Sequence, residues 1–540
     1  MKYIVVSGGV VSGIGKGVVS SSIGTILKSK GYNVIHIKID PYLNFSAGMM
    51  APSEHGEVYV LNDGTETDID LGNYERFQGV KLTSDNSITG GKILYNVISK
   101  EMKGEYNGKT LQINPHCINE IINKLKKVSN SEYFDEVKKV NFFPEIVIIE
   151  LGGTVGDAES VMFLEALYKF KNLLSKEDFL LISVDFLVEL HGFEHKTRPL
   201  QVSARNLRSF GLNSDIIICR GQHKMENYVL NKIAERCLVN KDSIFLVPNM
   251  NSIYKVPNYL NSQGLFDVIS KKLNILKKET SDLYFNKFES LAKRHEKAVS
   301  IGIVAKYSVQ ADSYSSIIHG LLFSSSELGV NTEVIWIDAE LLERNEEIEH
   351  KKLESCMGIL VPGGFGQRGI EGKIKAIQYC RENNIPFLGI CLGLQLSVIE
   401  FARNVLGLKN ATSEEFDSKA EHQVITFLDF NGVQKETLRL GANDIVLNKD
   451  SKIFKIYKDT CISERHRHRY GINKKYTDLL SEQGFICSGR SSCDNVAEIF
   501  ELSTHKYFIG VQYHPEFNAN PFAPSKLFTA FIKAALDLNF

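Results

Sequence analysis

Two kinds of side chain in this sequence stand where chemistry could be done with them: a lysine in a glycine-rich turn near the start, and a cysteine in another such turn at position 391. Residues 7–17 read SGGVVSGIGKG. Glycines let the backbone come close to a ligand, amide N–H groups and a helix N-terminus attract an anion, and Lys16 adds a point charge, so the stretch reads as a phosphate cradle. Its spacing departs from the common cradle, because five residues separate Gly9 from Gly15 and Gly17 stands where a Ser or Thr hydroxyl would reach Mg²⁺. A metal would then draw its oxygen ligands from elsewhere. The plainer alternative is a glycine turn that only joins strand to helix, and the apolar run Tyr3-Ile4-Val5-Val6 just before it favours the cradle.

Acidic residues follow. In DGTETDIDLG, extended backbone would point Glu66, Asp68 and Asp70 to one side at period two, and Mg²⁺ is usually held by one or two carboxylates together with nucleotide phosphates. A solvated acidic loop accounts for the segment equally well. Glu150 closes an apolar run and opens ELGGTVGDAES, with Asp157 and Glu159; Lys38 and Asp40 close another, where Asp40 before Pro41 reads as a strand leaving for solvent. Lys196, Arg198 and Lys232 could hold a second triphosphate, although most lysines are merely solvated.

Around position 391 the order is Gly389-Ile390-Cys391-Leu392-Gly393, between the strand-like 386–388 and the helix-like 394–403. This is a nucleophile elbow with Cys in place of Ser: small neighbours permit a sharp turn, and the helix start favours a thiolate. N–H groups of Leu392 and of the Gly363-Gly364 turn could form an oxyanion hole. His514 offers a base, and Glu516 two residues on could orient it. Singly, a buried free cysteine or a satisfied histidine is the commoner explanation; elbow and His-Pro-Glu together favour the triad. Arg465-His466-Arg467-His468-Arg469 alone suggests a nucleic-acid patch, but the chain has 63 Lys and Arg against 64 Asp and Glu and no basic field to support one.

The elements that must position these groups alternate. At 540 residues the chain exceeds one core and calls for two or three domains. Candidate strands at 3–7, 34–39, 145–150, 180–184, 216–219 and 245–247, with helix-like stretches between, describe a mostly parallel sheet whose ligands gather at the strands' carboxyl ends. Tyr284, Phe288 and Leu291 recur at helical spacing within the charged stretch 271–297, a linker helix with one apolar stripe. A second α/β region opens at Ser300. Nine scattered cysteines without a CxxC pair, no signal-like start and no apolar run near ~20 residues suggest a reduced, cytoplasmic protein.

SGGVVSGIGKG, KIDPYLN, HGEVYVLNDGTETDIDLGNYERF and ELGGTVGDAES together resemble the synthetase domain of the CTP synthase family, and SIYKVP, VPGGFGQRG, GICLGLQ, RHRHRY and HPEF continue the likeness to the chain's end. The later motifs are similar to class I glutamine amidotransferases. The resemblance implies an α/β chain with a P-loop-like, doubly wound parallel-sheet synthetase domain at 1–270, a linker helix at 271–298 and an α/β glutamine amidotransferase domain at 299–540. It implies a ligase that aminates UTP to CTP through a 4-phosphorylated intermediate, with ATP as co-substrate and ammonia from glutamine, as the last step of CTP biosynthesis. Carried over residue by residue, Cys391, His514 and Glu516 would be catalytic, and Gly13, Ile14, Gly15, Lys16, Gly17, Val18, Lys38 and Asp70 would bind ATP. Mg²⁺ would sit on Asp70 and Glu150. UTP or CTP would lie against Ser12, Asp157, Ala158, Glu159, Lys196, Thr197, Arg198, Pro199, Leu200, Gln201 and Lys232; glutamine against Gly364, Leu392, Gly393, Leu394, Gln395, Glu415 and Arg469. GTP activation, feedback by CTP, a homotetramer and filaments are further family properties, with no nucleic-acid or membrane partner.

Two segments depart from the family pattern: SAGMMAP at 46–52, where DPGTMSP is expected, and Arg198 and Leu200, where relatives tend to carry Lys and Thr. A different amidotransferase-coupled ligase, acting on another nucleotide or a cobyrinate-like acid, should lack the EHGEV, ETDID and SIYKVP segments. A non-enzymatic descendant should have lost Cys391, His514, Lys16 or Glu150. All of these are present.

Overall fold

The computed structural model describes residues 1–190, 194–306, 311–428 and 438–538. The chain divides into two units, Met1–Met49 with Thr67–Ala292, and Met50–Glu66 with Lys293–Phe540. Segment Met50–Glu66 thus packs with the second unit, which differs from the continuous 1–270 range read from the sequence.

In the first unit, β1 (Lys2–Gly8), β2 (Val34–Asp40), β3 (Ser87–Thr89), β4 (Ile146–Leu151), β5 (Phe179–Phe186), β6 (Ile216–Arg220) and β7 (Ile244–Val247) form one sheet in the order β7-β6-β5-β1-β4-β2-β3. Every pairing is parallel. Their sequences are nearly continuous runs of Ile, Val and Leu, as a sheet covered on both faces requires. The six runs picked out in the sequence each fall on one strand; β3, three residues long, is too short to leave a pattern. The chain leaves β1 for β2 on one side and later returns to β5 on the other, so β1 lies at the topological switch point where ligands enter such sheets.

Helices α1 (Lys16–Ser29), α2 (Ile69–Gln78), α3 (Arg198–Ser209), α4 (Asn227–Cys237) and α5 (Leu283–Ala292) surround this sheet. Buried along almost its whole length, α1 bonds some of its hydroxyls to its own carbonyls, Ser22 Oγ donating to Val18 O at 2.6 Å and Thr25 Oγ1 to Ser21 O at 3.1 Å, while Ser20 and Ser21 Oγ are buried without a hydrogen bond. Tyr284, Phe288 and Leu291 are the buried stripe of α5, which is shorter than the charged stretch that suggested it. The extended run expected through Glu66, Asp68 and Asp70 ends at Asp68. That side chain accepts from Asp70 N (2.9 Å) and caps α2, so the three carboxylates do not share a face.

The second unit holds β8 (Ala298–Ala305), β9 (Asn331–Asp338), β10 (Gly358–Val361), β11 (Phe387–Ile390), β12 (Arg439–Leu447), β13 (Cys461–His468), β14 (Phe485–Ser491), β15 (Ala497–Leu502) and β16 (Phe508–Val511) in the order β9-β8-β10-β11-β16-β15-β14-β12-β13. The pairings from β9 to β16 are parallel and the rest antiparallel. Helix α6 (Leu392–Asn404) leaves the carboxyl end of β11 in the parallel half.

Candidate active sites

At the end of β1 the chain turns through Gly13 (φ 68°) and Gly15 (φ 83°), the latter being the N-cap of α1. Lys16, 9% exposed, folds back and donates to Gly153 O (2.5 Å), beyond the end of β4. Burial pulls its pKa down, and the carboxylates of Glu150, Asp70 and Asp40 act against that fall. Ser12 lies exposed in the turn.

Register builds the second layer. Lys38 on β2 stands beside Glu150 on β4, which on its other side neighbours Val6 of β1. The Lys38 ammonium meets Asp70 in a very short contact, Glu150 at 3.0 Å and Asp40 at 3.7 Å, while Tyr74 donates to the other Glu150 oxygen. Burial raises Glu150 above the carboxylate range and holds Asp40 at about 7, with Asp68, Asp70 and Glu150 adding to the rise and Lys38 opposing it. Burial opposes the Lys38 charge, yet these carboxylates hold its pKa well above normal. Asp40 is therefore no solvent exit: at 5% exposure it belongs to the cluster, and its Oδ2 is buried without a hydrogen bond. Pro41 ends β2, but the glycine turn after β4 covers the carboxylate; a Cβ on Gly152 would meet Asp40 Oδ1 at 2.7 Å.

Gly17 has a steric reason. A Cβ there would lie 1.9 Å from Asp70 Oδ1, so the place where other cradles carry a hydroxyl is filled by a carboxylate from α2. Gly9 is similar, its Cβ position lying 2.0 Å from Asp185 Oδ1; burial raises Asp185 to about 6. These hard oxygen donors, including the unpartnered Asp40 Oδ2, fit a divalent cation in chemistry.

The other expected nucleotide residues lie on separate elements of this unit. Asp157 accepts from Thr154 N and Oγ1 (3.2 and 2.7 Å), and Ala158 and Glu159 form a short 3₁₀ turn. Lys196 pairs with Glu194, whose pKa is lowered by Lys196 and also by Lys232 on α4; Thr197 precedes α3, which begins Arg198-Pro199-Leu200. Gln201 Nε2 donates to Thr197 Oγ1 (2.9 Å), and Leu200 is buried. Glu189, which the sequence reading passed over, accepts from Gln222 N (2.8 Å), His223 N (2.9 Å) and the His223 ring, pinning the loop after β6.

In the second unit β11 ends at a residue in a costly conformation. Cys391 has φ 53° and ψ −102°, where a side chain is strained, and its N–H is fixed to Val511 O (2.7 Å). The turn is tight enough that a Cβ on Gly393 would lie 2.1 Å from Val361 O. His514 follows β16, and its Nδ1 bonds Glu516 Oε1 at 2.7 Å. Burial alone would lower His514, but Glu516 and the Cys391 sulfur raise it to about 10. Thiol and imidazole meet over Gly363, whose Cβ position is 3.4 Å from Cys391 Cβ and 3.0 Å from His514 Cε1.

These groups line a cavity of about 200 Å³ with Gly363, Gly364, Phe365, Tyr314, Arg467 and, from the N-terminal segment, Pro52, Glu57 and Val58. Gln512 was not singled out in the sequence; its Nε2 donates to Cys391 Sγ (3.6 Å) while its Oε1 accepts from Gln395 Nε2 (3.2 Å). Of the other expected glutamine contacts, Leu392, Gly393, Leu394 and Gln395 form the buried first turn of α6, Glu415 accepts from Gly366 N (3.3 Å), and Arg469 has a buried Nε without a hydrogen bond.

The alternating Arg and His residues of β13 face opposite ways. Arg465, fully buried, donates to Asn62 Oδ1 (2.6 Å), Tyr59 OH (2.8 Å) and Val60 O (3.0 Å), and Arg467 pairs with Glu66 at 2.7 Å, so both hold the 50–66 segment. His466 and His468 face inward beside Glu498, the one group of His, Cys, Asp or Glu among the described residues with metal-like spacing. Burial lowers both histidines, and Arg439 takes one Glu498 oxygen at 2.6 Å, while His466 Nε2 and Glu498 Oε2 are buried without a hydrogen bond. Arg465 is buried, and Arg467 and Arg469 are partly buried.

Comparison with known proteins gives matches over both units. The family described as CTP synthase N-terminus matches residues 2–275, and glutamine amidotransferase class-I matches residues 309–534. CTP synthase of Encephalitozoon cuniculi is 44% identical over 99% of this chain and 99% of its own length; that of Methanococcus maripaludis is 45% identical over 99% and 100%. A solved glutaminase domain of Trypanosoma brucei CTPS with bound acivicin is 38% identical, covering 45% of this chain and 95% of that one, with a TM-score of 0.43. With both halves matched in order and relatives aligned from end to end, the chain belongs to the CTP synthase family.

Proposed function

We propose that this protein converts UTP to CTP at the expense of ATP, with ammonia drawn from glutamine by its own second unit. The observation that carries the reading is the coexistence, in one family member, of a lysine-and-carboxylate cradle at the switch point of a parallel sheet and a strained cysteine flanked by a His–Glu pair.

In the glutaminase unit, the Cys391 thiol passes its proton to His514 as its sulfur attacks the side-chain carbonyl carbon of glutamine. The oxyanion that forms is met by N–H groups of Leu392 and Gly364, and His514 gives its proton to the leaving ammonia. His514 then takes a proton from water as the water attacks the thioester, and returns it to the departing sulfur, leaving glutamate and the free thiol. Glu516 holds the imidazole through Nδ1 and stabilises its charge. Arg469 and Glu415 offer opposite charges to the carboxylate and ammonium of glutamine.

In the synthetase unit, Lys16 and Lys38 neutralise the phosphoryl group moving from ATP to O4 of UTP, together with the backbone from Gly13 to Val18. Ammonia then adds at C4, phosphate leaves with the O4 oxygen, and CTP remains. Asp70 and Glu150 would hold Mg²⁺, with Asp40 beside them; when bound, it neutralises triphosphate charge. Ser12, Asp157, Glu159, Lys196, Gln201 and Lys232 bind UTP, and the shared triphosphate makes CTP a competitive inhibitor. GTP activation, a homotetramer and a cytoplasmic location complete the proposal; among the described residues no helix is long and apolar enough to cross a membrane.

Incubation with UTP, ATP, Mg²⁺ and amide-¹⁵N glutamine tests it. CTP labelled at the exocyclic nitrogen is expected; absence of CTP while the folded protein still hydrolyses ATP or glutamine would contradict it.

A further inference from the structure

The turn after β10, residues 362–366, supplies the wall facing Cys391, yet its own carbonyls point elsewhere, onto two buried lysines. Lys306, 6% exposed at the end of β8, donates to Phe365 O (2.8 Å) and Gly366 O (2.5 Å). Lys373, fully buried, donates to Pro362 O (3.3 Å). Burying an ammonium is costly unless it is hydrogen-bonded, so an apolar side chain would serve better if the only need were to fill space. Burial brings Lys306 down to about 8, with Glu415 opposing the fall and Arg368 adding to it, and Lys373 to about 7, with Lys306 adding.

The 365–366 peptide is gripped on both edges. In a trans peptide C=O and N–H point in opposite directions. Lys306 holds the carbonyl edge of this one, and Glu415 accepts from its N–H edge, Gly366 N, at 3.3 Å. Turning the peptide over would break both contacts at once. Gly364, adjoining this gripped peptide through Phe365, lines the cavity with Cys391 and His514. Glycines at 363 and 364 impose little conformational preference of their own, so the turn's shape must come from what holds its ends.

We propose that Lys306 is a positioning residue for glutamine cleavage: its ammonium, with Lys373 at the other end, locks the 362–366 turn so that the Gly364 N–H faces the oxyanion formed on Cys391. The inference rests on the glutaminase reading above. It predicts a defect confined to steps that develop an oxyanion.

The test uses full-length Lys306→Met and Lys373→Met, unbranched side chains of similar length without a donor, beside the parent protein. For Lys306→Met, kcat for glutamine hydrolysis should fall about 10²-fold, the loss of one oxyanion donor, while KM stays within about threefold. Alkylation of Cys391 by iodoacetamide, a displacement at carbon that makes no oxyanion, should keep its parental rate, and CTP formation from free ammonia should be unchanged. Lys373→Met should show the same pattern, more weakly, since one contact is lost rather than two. Lys306→Arg should recover part of kcat, because a guanidinium can serve both carbonyls. Parental kcat in Lys306→Met would overturn the proposal, as would alkylation falling in parallel with kcat, or a raised KM alone. A parent protein without glutaminase activity would instead overturn the function on which it rests.

Discussion

The two turns that end β1 and β11 share a plan, a parallel strand running through glycines into a helix, but they use their glycines in opposite ways. At the cradle the positive φ angles fall on Gly13 and Gly15, so the backbone is relaxed, and the space where Cβ atoms would stand at Gly9 and Gly17 is taken by Asp185 and Asp70. At the elbow the positive φ falls on Cys391 itself, and glycine at 393 only lets the strained turn close against Val361 O. The first turn makes room for charge, its own and a ligand's; the second spends strain to present one side chain. A phosphate site needs many weak donors around an open space, whereas a nucleophile needs one atom in one place.

The largest effect should come from removing the cradle's charge. Lys16→Ala should lower CTP formation from glutamine and from free ammonia alike by about 10³-fold or more, since the charge on the transferring phosphoryl group is no longer matched. Asp70→Asn and Glu150→Gln should do the same through the metal, and basal glutamine hydrolysis should persist in all three. Nucleotide analysis with each nitrogen source reads the result; full ligase activity in both carboxylate variants would dismiss the metal assignment.

Next come the glycines, where the comparison predicts different failures. In Gly17→Ser the new atom meets the end of a side chain, Asp70, so the protein should fold while ligase activity falls about 10²-fold as that carboxylate moves. If Gly17 were merely a missing metal ligand, the serine would leave activity intact or improve it. In Gly393→Ala the obstacle is the Val361 carbonyl, which cannot step aside, and the second unit should lose on the order of 3 kcal/mol or fail to fold, as seen by thermal unfolding.

These glycines also mark how far the sequence could be read. Strands were legible because buried parallel strands are written as apolar runs, and the elbow and His514-Pro515-Glu516 because their chemistry is local. Asp40 was misjudged, since a following proline shows where a strand stops and not what covers its end. Glu66 pairs with Arg467 far along the chain, a partner no short-range spacing reveals. Gln512, Lys306 and Lys373 carried no signal either: each acts through a contact made only when distant strands and turns meet. The swap of hydroxyl for carboxylate at Gly17 was visible as an anomaly, and its cause only in three dimensions.

A smaller, pH-dependent effect belongs to Asp185. Its folded pKa, about 6, lies above the ordinary carboxylate value because of burial, so its contribution to stability is present at low pH and is lost as pH rises through 6. Asp185→Asn should match the parent in stability near pH 4 and exceed it by on the order of 2–3 kcal/mol at pH 8, where the buried charge is removed. Denaturant unfolding at the two pH values measures this; a variant less stable at pH 8 would show that the ionised carboxylate is held by its neighbours.

The most direct measurement separates the two turns by nitrogen source. Cys391 is the one described cysteine lining the cavity with His514, and burial raises six of the others, Cys117, Cys219, Cys237, Cys356, Cys380 and Cys487. In Cys391→Ala, CTP formation from glutamine should fall by about 10⁴-fold or more, while formation from free ammonia continues at the parental rate. Parental CTP formation from glutamine in that variant, with contaminating ammonia excluded, would contradict the account.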